Sequence, residues 1–205
     1  MAVSKTYPAD AIREAYEAGV TVFGENRVQE FAGKRDAIAN LRIEWHLIGH
    51  LQSNKSWPAA ELFDAVDSLD SLKLARRLNE AARELGKTID VLVEVNVGGE
   101  DAKSGFAISE AESFGGEFAE LVRRAPELEA LHIRGLMCIP PAGESEGSRV
   151  HFRRVRELRD AIARRKLPRI EMDELSMGMS GDFEVAIEEG ATCVRVGTGI
   201  FGARN

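Results

Sequence analysis

Short apolar runs alternate along the chain with longer segments in which apolar residues recur every three or four positions. The short runs are typical of buried β-strands, and the longer segments have the period of amphipathic α-helices. Helical stretches of this kind include ADAIREAYEAG, SLKLARRLNEAARELG and HFRRVRELRDAIARRK. The predicted strands are Met1–Ser4, Thr21–Gly24, Trp45–Gly49, Ala65–Ser68, Val91–Val97, Ile133–Ile139, Glu174–Met177 and Cys193–Gly197.

Eight strand and helix units in 205 residues predict one domain, residues 1–205, folded as a single (β/α)8 barrel of the TIM type. A doubly wound open sheet is the alternative, but it does not need eight strands at such even spacing. The run PPAGESEG after the sixth strand is the nearest feature to a linker, and we interpret it as a loop. Because only IFGARN follows the eighth strand, the pattern predicts no helix after it.

The composition restricts the classes of function. No apolar run approaches the length of a membrane span, and the N-terminus MAVSKTYPAD lacks the features of a secretory signal, so we expect a cytoplasmic protein without membrane contact. The net charge of −7 argues against binding of nucleic acid, and we interpret the basic run RRVRELRDAIARRK as a solvated helix face. Cys138 and Cys193 lie in apolar, strand-like runs, so we expect buried thiols and neither a disulfide nor a metal site.

The run LSMGMSGDFEVAIEEGATCVRVGTGIFGARN at residues 175–205 is rich in glycine. SMGMSGD follows the seventh predicted strand and GTGIFG follows the eighth, where barrels of this type often bind phosphate. Ser180 precedes a predicted helix whose amides and dipole would favour an anion, although it could also be a simple N-cap. We expect Asp182 and Glu184 to point away from a phosphate. The backbone could approach phosphate oxygens closely at Gly178, Gly181, Gly197 and Gly199.

Lys5 directly follows the first predicted strand, at the same rim of the barrel. A partly desolvated amine at this place has a lowered pKa and can form a Schiff base. A lysine at a strand end is, by itself, most often solvated. The lysine and the phosphate loops together predict pyridoxal 5'-phosphate (PLP), held covalently by its aldehyde and non-covalently by its phosphate.

Two further side chains could contact the ring of this cofactor. Arg195 lies two residues before Gly197 on the same strand face and could reach the pyridine nitrogen, with a structural pairing to a carboxylate as the alternative. Asn26 follows the second strand, where its amide could hydrogen-bond the ring.

The two histidines of WHLIGHLQSNK are poor candidates for a joint metal site. In a straight strand His46 and His50 would be about 13 Å apart. We place His50 at the rim and His46 inside or below the barrel. Asn96 and Met137 are further candidates for the wall of the site.

The chain resembles the pyridoxal phosphate homeostasis protein family along its whole length. The motifs that carry the resemblance are AVSKTYP, FGENRVQE, EWHLIGHLQSNK, VDSLDSLKLA, VEVNVGGEDAKSG, RGLMCIP, LSMGMSGDFEVAI and VRVGTGIFGAR. The resemblance implies a single-domain barrel similar to the N-terminal domain of alanine racemase. It also implies an N-terminal helix before AVSK, which residues 1–205 lack, so we expect this seam of the barrel to be less well closed.

The resemblance further implies roles for individual residues. Lys5 would be the Schiff-base lysine, Ser180 and the amides of Gly197 and Thr198 would bind phosphate, and Arg195 would face the pyridine nitrogen. The predicted cofactor-binding residues are Lys5, Asn26, Met177, Ser180, Arg195, Gly197 and Thr198.

The family is thought to bind, buffer and deliver PLP without an assigned turnover, affecting amino-acid and keto-acid balance. The expected partners are PLP and PLP-dependent apoenzymes, and the expected state is a monomer. A PLP-dependent amino-acid racemase or decarboxylase is the alternative, but it needs a second acid or base opposite Lys5. A cofactor-free phosphosugar aldolase would also use a lysine and a phosphate loop.

Overall fold

The computed structural model describes residues 1–100 and 104–202, which form a barrel of parallel strands surrounded by helices. The strands are β1 (Ala2–Val3), β2 (Val22–Glu25), β3 (Glu44–Leu47), β4 (Ala65–Leu69), β5 (Ile89–Asn96), β6 (Phe106–Ala107), β7 (Leu131–Cys138), β8 (Ile170–Met179) and β9 (Cys193–Arg195). The helices are α1 (Ala9–Glu17), α2 (Val28–Arg35), α3 (Ser56–Leu62), α4 (Leu72–Glu84), α5 (Ile108–Ser113), α6 (Gly116–Arg124), α7 (Ser145–Ala163), α8 (Phe183–Glu188) and α9 (Thr198–Phe201).

The strands follow the order β1-β2-β3-β4-β5-β7-β8-β9, and β6 pairs with β5 beside this path. The barrel closes where Ala2 forms a parallel bridge with Val196. Here the amide of Val3 donates to the carbonyl of Val196 at 2.9 Å, and the amide of Val196 donates to the carbonyl of Met1 at 3.1 Å. The predicted barrel is therefore confirmed, the open-sheet alternative is wrong, and the seam between first and last strands is paired.

All eight predicted strands are present, with ends that differ by a few residues. The elements that were not predicted include two short ones. One is the two-residue strand β6, and the other is the single turn α9, which corrects the expectation that no helix follows the last strand. The turn forms because the amides of Ile200 and Phe201 both donate to the carbonyl of Gly197, at 2.9 and 3.0 Å.

The longer helices have the predicted amphipathic character. On α4, the N-cap Ser71 accepts a hydrogen bond from the amide of Leu74, and Leu74, Ala75 and Leu78 are buried against the barrel. On α7, the basic run places Arg153 and Arg156 in ion pairs with Glu189, the C-cap residue of α8. The solvated basic face is thus also the contact between α7 and α8.

Between strands and helices lies an apolar layer that includes the tilted ring contacts of Phe23, Phe31, Phe63 and Trp45. Burial of this layer is the main stabilising contribution, since free energy scales with the apolar area removed from water. Cys138 is buried as expected, whereas Cys193 is only half-buried, and both thiols are free. Among the described helices, none combines the length and apolarity needed to cross a bilayer.

Candidate ligand-binding site

A cavity of about 570 Å³ opens at the carboxyl ends of the barrel strands. This volume is within the usual range for small-molecule sites, and the position is that of active sites in barrels of this kind. His50 and Asn96 line it, as predicted. Six of the seven predicted cofactor-binding residues also line it: Lys5, Asn26, Ser180, Arg195, Gly197 and Thr198.

The seventh predicted residue, Met177, does not line this cavity. Its side chain is fully buried in the hydrophobic core, as is that of Met137, which was predicted for the wall. Because side chains alternate along a strand, Met177 points away from the interior that Ser176 faces. Met179 lines the cavity instead, because the strand register shifts between Ser176 and Met179 and interrupts the alternation.

Lys5 is half-buried at the end of β1, and a buried polar cluster fixes the strand that carries it. The hydroxyl of Ser4 donates to Glu25 Oε1 at 2.6 Å, and the Lys34 amine lies 2.8 Å from the same oxygen. Lys34 also donates to the carbonyl of Ser4 at 3.1 Å. Burial raises the pKa of Glu25, against the opposing hydrogen bonds from Lys34 and Ser4. This cluster holds Lys5 at the cavity rim.

The backbone turns sharply immediately after Lys5. Thr6 has a φ of 70°, a left-handed conformation that is uncommon for a β-branched residue. Its amide donates to Glu30 of α2, which compensates for part of the strain. Such strain is concentrated at functional sites, where surrounding contacts over-determine the backbone.

Asn26 reaches the cavity because β2 and β3 approach closely at their carboxyl ends. A Cβ atom on Gly49 would lie 2.4 Å from the carbonyl oxygen of Asn26, so only glycine allows this approach. The two residues both line the cavity.

The two glycine loops meet at one side of the cavity. A Cβ on Gly199 would lie 3.9 Å from the hydroxyl of Ser180, so the loops after β8 and β9 are neighbours. No atom lies within 4 Å of a Cβ added at Gly181. A Cβ added at Gly197 would lie 3.4 Å from the carbonyl oxygen of Val3, which is an ordinary van der Waals contact. The backbone at these two glycines is open to a phosphate.

At the other two glycines of these loops, a side chain is excluded by packing within the protein. Gly178 has a φ of +92°, and an added Cβ would lie 2.5 Å from that of Ala186. At Gly199 it would lie 2.9 Å from the side chain of Val196. Packing inside the protein therefore requires both glycines, which corrects the prediction that all four serve phosphate approach.

Ser180 is not the N-cap of the following helix, because Asp182 occupies that position. Asp182 folds back onto its own loop, where its Oδ1 accepts from the amide of Met179 at 2.6 Å. Since α8 has only six residues, its helix dipole is small.

Arg195 is buried at the floor of the cavity. Its guanidinium donates to the hydroxyl of Ser176 at 2.8 Å and to the carbonyl of Cys138 at 2.8 Å. The hydroxyl of Ser176 in turn donates to Asp67 at 3.4 Å. The direct partners of Arg195 are thus neutral. The predicted alternative, a pairing of Arg195 with a carboxylate, is present only indirectly, because Ser176 bridges Arg195 and Asp67.

Below Arg195 a buried ion pair lies inside the barrel. His46 Nδ1 is 2.8 Å from Asp67, and Nε2 is 3.1 Å from Glu44. Burial lowers the pKa of His46, but hydrogen bonds and charges from Asp67 and Glu44 outweigh it and raise the pKa to about 10. His46 lies inside the barrel, as predicted, and is cationic near neutral pH.

Glu94 also lines the cavity, although the sequence pattern did not predict it. It is 9% exposed, and its Oε2 is buried without a hydrogen-bond partner among the described residues. Burial raises its pKa to about 7, reinforced by Asp70 and opposed by His50 and Arg195. A charged residue inside the apolar run VLVEVNV, in phase with Asn96, is the signal that could have identified it.

In the part of the chain that the structure describes, the side chains do not form a metal-binding cluster. No group of three or more His, Cys, Asp or Glu side chains is arranged there to hold an ion. His50 instead pairs with Asp70, at 2.7 Å.

Sequence comparisons agree with this architecture. A family model of the alanine racemase N-terminal domain matches residues 1–205. A pyridoxal phosphate homeostasis protein of Vibrio alginolyticus is 49% identical over 210 residues, covering 100% of this chain and 86% of that protein. One of Pseudomonas aeruginosa is 46% identical over 206 residues, covering 100% and 84%.

Solved structures give the same picture. PipY of Synechococcus elongatus, solved with PLP bound, has a TM-score of 0.85 and 40% identity, covering 98% of this chain and 91% of that chain. Alanine racemase of Clostridium difficile, at 17% identity, shares the fold with a TM-score of 0.71, and the match covers 50% of that longer chain.

A closed parallel barrel with a lysine and two glycine loops on one rim defines the class of alanine racemase-like barrels. Within this class, the chain belongs to the pyridoxal phosphate homeostasis protein family.

Proposed function

We propose that this chain binds PLP in the cavity at the carboxyl ends of the strands and serves PLP homeostasis by holding and delivering the cofactor. The observation that carries the proposal is the meeting of Lys5 with both glycine loops around one cavity. The names of the relatives and the PLP-bound structure of PipY support it.

The residues of the cavity fit such a ligand. When bound, PLP supplies an aldehyde that condenses with amines and a ring that withdraws electrons. Lys5 would bond the aldehyde, and Asn26 would lie beside the ring. The hydroxyl of Ser180 and the amides of Gly197 and Thr198 would bind the phosphate, since the first amides of a helix have no acceptor within it.

Arg195 favours a carrier over a catalyst. A guanidinium is permanently charged, and its direct partners here are the neutral hydroxyl of Ser176 and the carbonyl of Cys138. Facing a pyridine nitrogen, it would keep that nitrogen unprotonated and so weaken the ring as an electron sink. A racemase or decarboxylase would need the opposite arrangement.

We further propose that the protein acts as a cytoplasmic monomer and passes PLP to PLP-dependent apoenzymes. The racemase or decarboxylase alternative requires an acid or base across the cavity from Lys5. The match covers about half of the alanine racemase chain, so it concerns the barrel of that protein and not the rest of it.

The test of PLP binding compares wild type with Lys5→Ala after incubation with PLP and dialysis. We expect visible absorbance of bound PLP in the wild type. In the variant we expect the affinity for PLP to be lower by about 100-fold or more. Lys73→Ala, at an exposed lysine of α4, is the matched control and should behave as wild type. A protein that binds no PLP would contradict the proposal and favour the aldolase alternative.

Carrier and racemase are separated by incorporation of deuterium into alanine in heavy water, with PLP occupancy checked by absorbance. We expect negligible exchange by the wild type and faster exchange by Arg195→Glu that has retained PLP. Exchange by the wild type at about 1 s⁻¹ or more would be a rate typical of enzymes and would overturn the carrier assignment.

A further inference from the structure

Glu94 lies in the cavity wall contributed by β5, in phase with Asn96. The side chain is nine-tenths buried, and Oε2 has no hydrogen-bond donor near it among the described residues. A buried carboxylate oxygen without a donor is poorly stabilised as an anion. The neutral acid avoids this cost and gains an O–H donor.

The charged groups around Glu94 are already engaged with other partners. Arg195, from β9, donates to Ser176 and to the carbonyl of Cys138. His50, after β3, pairs with Asp70, after β4. Cys138, on β7, has a pKa raised to about 12 by burial and stays a neutral thiol. Lys5 lines the same cavity from β1.

The protonation state of Glu94 affects binding because the proposed ligand of the cavity carries a negatively charged phosphate. A phosphate seated on the loops after β8 and β9 adds negative charge to the same enclosed space. Like charges in a low-dielectric site raise each other's pKa, so an anionic ligand favours protonated Glu94. The neighbouring Asp70 acts in the same direction, and His50 and Arg195 act against it.

We propose that Glu94 is a ligand-binding residue of this cavity, which as the carboxylic acid donates a hydrogen bond to an acceptor atom of the bound PLP. The inference rests on the proposed function. Binding then takes up a proton at Glu94 when the pH is above neutrality. The contribution of Glu94 therefore favours tighter binding of PLP below neutral pH than above it.

The test is calorimetric titration with PLP in two buffers of different ionisation enthalpy, at pH 6 and pH 8, with wild type, Glu94→Gln and Glu94→Leu. Glutamine keeps a donor but does not titrate, whereas leucine keeps only the bulk. Protons exchanged by PLP and by Lys5 are common to all three proteins and cancel in the comparison. Thermal melts at both pH values confirm that each variant is folded.

At pH 8 we expect the wild type to take up about 0.5 proton more than Glu94→Gln, and at pH 6 we expect no difference. The glutamine variant should bind PLP as tightly as wild type at pH 6 and about 3- to 10-fold more tightly at pH 8. Glu94→Leu should bind about 5- to 30-fold more weakly than Glu94→Gln at both, because the donor is lost.

Equal proton counts in wild type and Glu94→Gln at pH 8 would overturn the inference, as would equal affinities of the glutamine and leucine variants. Both results leave the proposed function intact if binding still depends on Lys5. Absence of saturable, Lys5-dependent binding in the wild type would reject the proposed function itself, and this inference with it.

Discussion

The two ends of the barrel treat their charged side chains differently. At the amino end, Arg134 contacts Asp90 at 3.2 Å and Asp173 at 2.7 Å, within a larger group of carboxylates. At the carboxyl end, Glu94 keeps a buried oxygen without a described partner, beside the cavity that Lys5 lines. The charges of the Arg134 group satisfy one another and stabilise the fold, whereas the carboxyl end combines paired charges with one carboxyl group, Glu94, that is open to a ligand.

The largest effect is expected at a charge pair that is buried inside the barrel. Asp67→Ala would leave cationic His46 without its main partner inside the barrel, and we expect a loss of about 3–5 kcal/mol in the free energy of unfolding. Urea denaturation at pH 7 measures it.

Asp90→Ala at the amino end is the matched control. The side chain of Asp90 is 42% exposed, so its ion pair with Arg134 should be worth about 1 kcal/mol or less. Equal losses for the two variants would contradict the assignment of a stabilising role to the interior pair.

At the cavity end, removing a charge should increase the free energy of unfolding instead of lowering it. Because the pKa of Glu94 is raised to about 7 in the folded state, the folded protein loses stability relative to the unfolded chain as pH rises toward and through that value. Glu94→Gln removes this loss, so we expect it to be more stable than wild type by on the order of 2 kcal/mol at pH 8.

The control for this pH dependence is the same pair of proteins at pH 4.5, where wild-type Glu94 is protonated and the two should unfold alike. Urea denaturation at both pH values gives the comparison. A wild type as stable as the variant at pH 8 would mean that the carboxylate is satisfied after all.

The smallest effect is expected at the phosphate loops, where several donors share one group. Ser180→Ala should weaken PLP binding by about 1–2 kcal/mol without changing the melting temperature of the free protein. Equilibrium dialysis measures the affinity. Gly197→Val, whose side chain blocks the backbone, is the positive control, and unchanged affinity in both variants would place the phosphate elsewhere.

The fold could be predicted because the strand pattern repeats evenly and several strands, such as β4, are buried on both faces. The elements that escaped prediction are the shortest. Phe106–Ala107 is two residues long and is a strand only because it pairs with β5. Thr198–Phe201 is a single turn that depends on hydrogen bonds to the carbonyl of Gly197.

The site was predictable where chemistry and strand ends coincide, as at Lys5, Ser180 and Arg195. Met177 is buried in the core and does not line the cavity, and the strand pattern did not reveal this because the register between β8 and β9 shifts between Ser176 and Met179. Glu94 was missed because its neighbours in space come from other strands, and one strand alone does not reveal them.

The seam that closes the barrel also sets when the site can exist during folding. Tyr7 donates to the carbonyl of Gly202 across a separation of 195 residues, and the backbone bonds between Val3 and Val196 lie beside it. Contacts of such sequence separation require the costliest loop closure and tend to form late. A partly folded or nascent chain lacking β9 would present Lys5 without the loop that follows that strand, so high-affinity PLP capture would report that the barrel is complete.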